Sequence, residues 1–263
     1  MGAIGKLEQD SVENADEVIQ ALKSEGLKYL DDFLLTTFKQ VEPNNSFQML
    51  NKFQDEINGG GKFNSDEERF ASLTNCLMNY LCLVVGKNAY RITECEIYYM
   101  DIDHQDPYVH CGDEQMTAGK LYLNKAGGVD ITFGNPNYPA WGGILIRGIL
   151  NLRTNQYINK ITEVVAEIFK SLGNIILQDN RIFLAELKQG QIKVQQPFQT
   201  TRVGLVKKEF DREDFIDKPY RYLVELVPSH KFKDKEKVVK QLLTEKKISA
   251  DDAKNILGYN TKQ

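Results

Sequence analysis

Residues 91–99 read Arg91-Ile92-Thr93-Glu94-Cys95-Glu96-Ile97-Tyr98-Tyr99, and this run decides the fold class. β-Branched and aromatic residues dominate it, which is the composition of a strand. Because successive side chains of a strand point to opposite faces, Glu94, Glu96 and Tyr98 share one face, and the other face is apolar enough to enter a core. A carboxylate at the rim of a cleft can orient a water molecule and accept its proton. The run therefore predicts a core strand that carries a candidate site.

Helical spacing precedes this strand and alternating spacing follows it. Residues 11–85 predict helices, and the last of these begins at the capping box Ser65-x-x-Glu68 and runs to about Val85. Strands are predicted at 90–99, 119–124, 128–133, 143–149, 181–187, 191–195, 202–206 and 220–227. Helical spacing returns at 151–172 and in a tail at 234–258 that breaks near Ser249. This order predicts an α+β protein with a helical N-terminal extension, a mixed sheet after it and short C-terminal helices.

Charge is spread unevenly along three expected regions. We expect an acidic helical region at 1–85 packed on the core, an α+β core at 86–230, and a helical appendage at 231–263. Residues 1–70 carry 7 Lys/Arg against 14 Asp/Glu, whereas residues 201–263 carry 15 against 11, and the net charge is −4. The C-terminal part could meet phosphates, but the acidic N-terminal part would repel them. This balance argues against a strong nonspecific DNA-binding protein.

Hydropathy and cysteine usage indicate a cytoplasmic protein. No apolar run approaches the ~18 residues of a membrane span, and the N-terminus turns acidic at once without the apolar core of a signal peptide. The four cysteines lack C-x-x-C spacing. We therefore expect reduced, structural thiols and no membrane association.

Five segments, in sequence order, resemble signature segments of the alkyladenine (3-methyladenine) DNA glycosylase family. The strand at 91–98 resembles the family pattern R-I-V-E-T-E-A-Y, residues 119–123 resemble G-T-L-Y-V, and residues 144–148 resemble V-L-L-R-A. Residues 202–205 and then 218–222 resemble R-V-G-I followed by K-P-L-R-F-Y. His110 falls where the family places a histidine. The match spans roughly residues 85–225, and the resemblance implies a glycosylase-like core with a curved mixed or antiparallel sheet.

The resemblance implies a DNA-repair hydrolase of base excision, which flips a damaged base out of the helix and cleaves its N-glycosidic bond. It implies that Glu96 activates water for attack on the sugar C1′ and that Arg147 lies near this water and the phosphate backbone. Tyr98 and His110 would enclose the flipped base, and the charge of Glu94 would raise the pKa of its neighbour. The implied partner is damaged or single-stranded DNA, and no cofactor is implied.

The residues that depart from the family pattern are mostly those with which the family's enzymes open a duplex and hold the flipped base. Tyr122 matches a family tyrosine, but Asn124 replaces the stacking tyrosine that follows two residues later, so these two positions are candidate substrate contacts. The hairpin turn at 125–128 has no large side chain to insert into DNA. Asp130 occupies the place of an asparagine that screens purines in the pocket. We therefore expect either a changed substrate, such as an unstacked base, or a non-catalytic module that binds a nucleotide, a nucleic acid or a protein.

Other interpretations of the same residues remain open. Without the resemblance, Glu94 and Glu96 also fit solvated strand positions, with Tyr98 in cross-strand packing. The histidines and aspartates of residues 101–111 have neither zinc spacing nor the glycine and final glutamate of a calcium loop, so we predict no metal site. A nucleophilic pair of Cys111 with a histidine has no supporting pattern.

Overall fold

A computed structural model of the chain describes residues 48–172, 182–188 and 190–259. The helices expected before residue 48 lie outside these ranges. Within them, the helices are α1 (Gln48–Ile57), α2 (Asp66–Asn79), α3 (Ile161–Leu172), α4 (Lys235–Thr244) and α5 (Ala250–Leu257). None of these helices has the length and apolarity that a bilayer crossing requires.

Nine strands of the described ranges form one sheet. They are β1 (Leu81–Val85), β2 (Asn88–Met100), β3 (Leu121–Leu123), β4 (Val129–Thr132), β5 (Trp141–Asn151), β6 (Tyr157–Ile158), β7 (Ile182–Glu186), β8 (Phe198–Thr200) and β9 (Arg221–Leu223). The main order is β3-β4-β5-β2-β1-β7, with β6 on β5 and with β8 joined through β9 to β2. Every pair is antiparallel. The α+β class and the curled antiparallel sheet expected from the sequence are therefore confirmed.

The central strand β2 is long enough to hold three neighbours. Strand β5 pairs along one edge from Tyr90 to Met100, while β1 and β9 divide the other edge between them. The β2–β5 register shifts on both sides of Glu94, which is the behaviour of a β-bulge. Opposite this shift stands Gly148, where a Cβ atom would lie 3.1 Å from the Cβ of Glu94. The sheet therefore leaves space for an acidic side chain at its centre.

One part of the core lies between the sheet and helix α2, which precedes it. Cys95, Ile97 and Tyr99 of β2 are buried in one apolar cluster with Phe70 and Leu77 of α2. Burial of such side chains contributes about 1.5–3 kcal/mol each, so this face fixes the orientation of β2. The opposite face of the strand is then available for the polar residues at 94, 96 and 98.

Helix α2 begins as the capping box predicts but ends earlier. Ser65 Oγ accepts a hydrogen bond from Glu68 N at 3.2 Å, although the Glu68 carboxylate accepts from Asn64 N instead of Ser65 N. The helix ends at Asn79, so the prediction that it runs to Val85 is wrong. Residues 81–85 are β-branched or apolar and pair with β2 and β7, and these tertiary pairings override the helical spacing.

Three further boundaries differ from the predicted ones. The helix expected at 151–172 begins at Ile161, because Asn151 Oδ1 accepts from the backbone N–H groups of Arg153 and Thr154 and closes a turn before β6. Residues 191–195 and 202–206 are not strands; β8 lies between these two segments. The strand expected at 220–227 is limited to β9.

Candidate active site

Two carboxylates lie side by side at the centre of the sheet and are fully buried. Nε of Arg147 lies 3.0 Å from Oε1 of Glu94 and 3.4 Å from Oε1 of Glu96. Nε of Arg221 lies 2.8 Å from the same oxygen of Glu94. One arginine comes from β5 and the other from β9, the two strands that flank β2 here. The register of the sheet thus supplies two cations for two acids, which is the condition for burying them.

Glu96 is held by donors on both of its carboxylate oxygens. Oε1 accepts from Val203 N at 2.7 Å, and Oε2 accepts from Tyr98 Oη at 2.9 Å and from Nη1 of Arg147 at 3.4 Å. Burial raises the pKa of Glu96 and the charge of Glu94 adds to this, while Arg147 and the Val203 N–H oppose it. A positioned carboxylate whose pKa is shifted toward neutrality has the properties of a general base.

Tyr98 is half-buried and forms the rim of this site. The guanidinium of Arg202 lies 4.6 Å from the centroid of its ring. Arg202 is itself fixed by Asp106, at 3.2 Å between Nη2 and Oδ1, and by the carbonyl oxygen of Ile97 at 3.1 Å. Burial raises the pKa of Tyr98 well above its ordinary value, so its hydroxyl stays protonated and donates to Glu96. The ring is therefore held rigidly by a cation–π contact and a hydrogen bond.

His110 is the second wall of the base-binding slot that the resemblance implies. It lies at the surface, where partial burial and the charges of Lys125 and Lys208 lower its pKa. In the described part of the chain, no aromatic contact joins the rings of His110 and Tyr98. Two walls that enclose a planar ring do not touch each other, so the slot between Tyr98 and His110 stays a prediction.

Asn124 organises the hairpin between β3 and β4. Its Oδ1 accepts from Ala126 N and Gly128 N, both at 3.0 Å, and its Nδ2 donates to Asp130 Oδ1 at 2.9 Å. Gly127 has a φ of 80°, which suits glycine in such a turn. An aromatic residue in place of Asn124 would lose all three hydrogen bonds. The asparagine therefore serves both the turn and the orientation of a buried acid.

Asp130 is a third buried carboxyl on this side of the sheet. It is 2% exposed, and burial raises its pKa to about 7, helped by the charge of Glu96 and opposed by the amide of Asn124. Asp130 pairs with Leu145 across β4 and β5, and Leu145 pairs with Glu96 across β5 and β2. Directly opposed residues of neighbouring strands share a face. Asp130 and Glu96 therefore lie on one face, with a single strand between them.

Most of the predicted site residues converge on this face. Tyr122 pairs with Asp130 across β3 and β4, and Arg147 stands two residues from Leu145 on β5. Sequence reasoning missed the parts played by Arg202 and Arg221, although both belong to the segments that carry the resemblance. The signal available for them was electrostatic, because two acids on a core strand require buried cations.

A cleft of about 250 Å³ opens beside the acid pair. Its lining includes Val203, which donates to Glu96, and Arg221, which binds Glu94. Lys237 near the start of α4 lines the same cleft. The cleft therefore reaches groups that contact both of the buried acids. Within the described ranges, no three His, Cys, Asp or Glu side chains gather as a metal site.

No family model matches the chain. The chain is similar to an uncharacterized protein of Acanthamoeba polyphaga mimivirus, with 28% identity over 193 residues, which covers 60% of this chain and 87% of the viral protein.

Proposed function

We propose that the protein is an N-glycosidic hydrolase that releases a damaged or modified base from nucleic acid, with Glu96 as the general base. The observation that carries this proposal is the setting of Glu96: a buried carboxylate with a raised pKa, oriented by Arg147, Tyr98 and the Val203 N–H. The resemblance of the surrounding segments to alkyladenine DNA glycosylases supports the same reaction class.

In the proposed reaction, a water molecule attacks the sugar C1′ and passes its proton to Glu96. Arg147 keeps the carboxylate ionised until that moment, because its guanidinium interacts with both acids. The hydroxyl of Tyr98 donates a hydrogen bond to Oε2 of Glu96, and the ring of Tyr98 lies at the rim of the site. A carboxylate has about four acceptor positions, so three protein donors leave one acceptor position for a water molecule. General-base catalysis of this kind contributes typically about 10²–10⁴-fold.

The form of the hairpin favours an unstacked substrate. Lys125 and Ala126 are the exposed residues of the turn between β3 and β4, and neither can fill the space that a flipped base leaves in a duplex. Extrusion of a paired base costs a few kcal/mol, but less for a base that is mismatched or in a single strand. We therefore propose single-stranded or locally unpaired DNA as the nucleic acid.

A second candidate is a module on the same fold that binds a nucleotide, a nucleic acid or a protein without catalysis. The observation in its favour is the complete burial of Glu96, with a protein donor on each carboxylate oxygen. Such a site could be fully satisfied by internal contacts alone. The two candidates differ in whether a bond is broken.

The test is a base-release assay with oligonucleotides that carry alkylated or deaminated bases, in single-stranded and duplex form. Release from at least one of them supports the hydrolase, and a failure of the purified wild-type protein on the whole panel overturns it. DNA affinity measured over a range of salt concentrations then distinguishes a nucleic-acid-binding module from a protein-binding module. Binding through phosphates weakens steeply as salt rises, whereas a protein-binding module shows no such dependence.

A further inference from the structure

Phe210 presents its ring to solvent on the loop between β8 and β9, residues 201–220. The side chain is 64% exposed. The same loop contacts the candidate site, because Val203 donates its N–H to Oε1 of Glu96 at 2.7 Å. A single exposed apolar side chain does not by itself mark an interface, so the groups around Phe210 decide its role.

The turn that carries Phe210 is anchored, although the ring itself is exposed. The next residue, Asp211, is buried, and its carboxylate accepts hydrogen bonds from Phe215 N at 2.7 Å and from Ile216 N at 3.1 Å. Tyr108 donates its hydroxyl to Oδ2 of the same carboxylate at 3.0 Å. A ring on an anchored turn loses little conformational freedom when it binds a partner, and this favours a binding role.

Aromatic rings and cations alternate from the candidate site out to Phe210. The guanidinium of Arg202 lies 4.6 Å from the ring centroid of Tyr98 and 5.4 Å from that of Tyr108. Nζ of Lys208 lies 5.0 Å from the ring centroid of Tyr108 and 5.6 Å from that of Phe210. Exposure rises from the buried Tyr108 through the half-buried Lys208 to Phe210. Rings that stack on bases and cations that follow the backbone are the groups with which proteins hold single strands.

Lys208 has donors left for a phosphate. Its Nζ donates to the carbonyl oxygen of Pro107 at 2.6 Å, and an ammonium group carries three donors. Among the described residues, no carboxylate forms an ion pair with Lys208. The neighbouring Lys207, by contrast, is paired with carboxylates of its own loop. Lys208 is therefore the cation of this loop that an external anion can use.

The same lysine connects the loop with the rim of the candidate site. Partial burial lowers the pKa of His110, and the charges of Lys125 and Lys208 add to this. His110, the turn at 125–128 and the cationic part of the loop are thus neighbours. A strand whose base reaches Glu96 would therefore pass close to Lys208.

We propose that the exposed ring of Phe210 is a stacking platform for a base that flanks the released one in a single strand, and that Lys208 contacts a backbone phosphate beside it. This inference rests on the proposed function for its ligand, which is nucleic acid, and it adds a binding surface outside the catalytic residues. Stacking tolerates every type of base, because each base has a flat face. The surface therefore contributes affinity without sequence preference.

This surface favours an unpaired strand over a duplex. The faces of duplex bases are covered by their neighbours, so they are not accessible to Phe210. A base in a single strand leaves its neighbours at a lower cost. The platform therefore agrees with the turn at 125–128, which has no large side chain with which to open a duplex.

The test measures affinity for a single-stranded oligothymidylate by fluorescence anisotropy. Phe210→Leu keeps an apolar side chain but has no ring, and Phe210→Ala removes both; we expect each to bind about tenfold or more weakly than wild type. Phe210→Trp keeps a stacking ring, so it should retain the wild-type affinity, and the fluorescence of its indole should be quenched on binding. Tyr259→Ala is the matched control, because Tyr259 is an exposed ring whose hydroxyl contacts the carboxylate of Glu236, and it should leave affinity unchanged.

Lys208→Met tests the phosphate contact through salt. Loss of one phosphate contact to a single strand should reduce the slope of log affinity against log salt concentration by about 0.7. Lys240→Met is the control, because Lys240 is paired with Glu236 on α4, and it should keep the wild-type slope. A wild-type slope in Lys208→Met overturns the phosphate contact.

Wild-type affinity in Phe210→Ala or in Phe210→Leu overturns the stacking platform and leaves the hydrolase proposal standing, since that proposal is judged by base release. A wild-type protein that binds no oligothymidylate also overturns the platform and leaves the exposed ring to a protein partner. Absence of base release, together with weakened binding by Phe210→Ala, overturns the hydrolase proposal alone. Circular dichroism and the midpoint of urea unfolding verify that the variants are folded.

Discussion

Nε of Arg147 lies 3.0 Å from Oε1 of Glu94, and this contact is what makes a buried acid pair possible. Arg221 reaches the same oxygen at 2.8 Å, which leaves Arg147 to serve Glu96 as well. Two acids and two arginines thus form one network at the centre of the sheet. Removal of one member should cost more than the loss of a surface ion pair, because it leaves a buried charge uncompensated.

Arg147→Met tests this network through stability. We expect the free energy of unfolding to fall by about 3–5 kcal/mol, since only Arg221 would remain for two buried carboxylates. Urea denaturation at neutral pH gives the value. Lys160→Met is the control, because Lys160 forms an exposed pair with Glu163 and should change stability little. An Arg147→Met protein as stable as wild type would contradict the network.

Asp130 should make stability depend on pH. The folded carboxyl holds its proton up to a pKa of about 7, whereas the unfolded one releases it near 3.8, so the folded state binds more protons between these values. Its contribution to the free energy of unfolding therefore falls as pH rises through this window, by up to about 4 kcal/mol.

The comparison with Asp130→Asn isolates this contribution, because asparagine does not titrate. We expect the stability of wild type minus that of Asp130→Asn to decline from pH 4 to pH 8 in urea unfolding. His230, whose burial lowers its pKa to about 4, has the opposite slope, but it is present in both proteins and cancels. A difference that stays flat over this range would show that Asp130 is ionised in the fold.

Gly143→Ala should disturb the site through packing alone. The added methyl group would lie 3.0 Å from Asp130 Oδ2 and from Gln115 Nε2, and one of these groups would have to move. Overpacking of this kind costs typically about 1–3 kcal/mol. We expect that loss in urea unfolding, together with reduced base release. A Gly143→Ala protein with wild-type stability and activity would contradict this packing.

The rate of base release should depend on whether the DNA is single-stranded or duplex. This dependence should be stronger than for an enzyme that inserts a side chain into the duplex. We expect release from a single strand to exceed release from the matched duplex by about tenfold or more, because a few kcal/mol of unstacking is not offset by the turn at 125–128. Ala126→Tyr should narrow this gap and Ala126→Ser should leave it unchanged, since Ala126 is exposed on that turn. Equal rates on both DNA forms in wild type would contradict the expectation.

Local patterns predicted the elements that depend on local physics. The alternation at 91–99 predicted β2, the pair Ser65 and Glu68 predicted the start of α2, and the turn at 124–128 predicted the hairpin of β3 and β4. Each of these is determined within a few residues of the chain. The strand β1 was missed although its hairpin with β2 turns at Gly86 and Lys87, because its apolar residues continue the helical spacing of α2. Its other pairing, with β7, joins residues about a hundred positions apart, and no local spacing records that contact.

Part of the candidate site was predictable because its residues lie in short segments of the sequence. Glu96, Tyr98 and Arg147 were identified from short segments, and the register then placed Asp130 on their face. The bond between Arg221 and Glu94 spans 127 positions, so only the fold reveals it. His110 is exposed, and its place opposite Tyr98 stays a prediction from the sequence.

The most direct test of the central claim compares Glu96→Gln with wild type in base release. Gln keeps the size of the side chain but cannot accept a proton from water, whereas Glu163→Gln changes an exposed glutamate and serves as the control. We expect Glu96→Gln to stay folded and to lose at least about 10²-fold in rate, with Glu163→Gln at the wild-type rate. A Glu96→Gln protein that releases the base as fast as wild type would contradict the assignment of Glu96 as the general base.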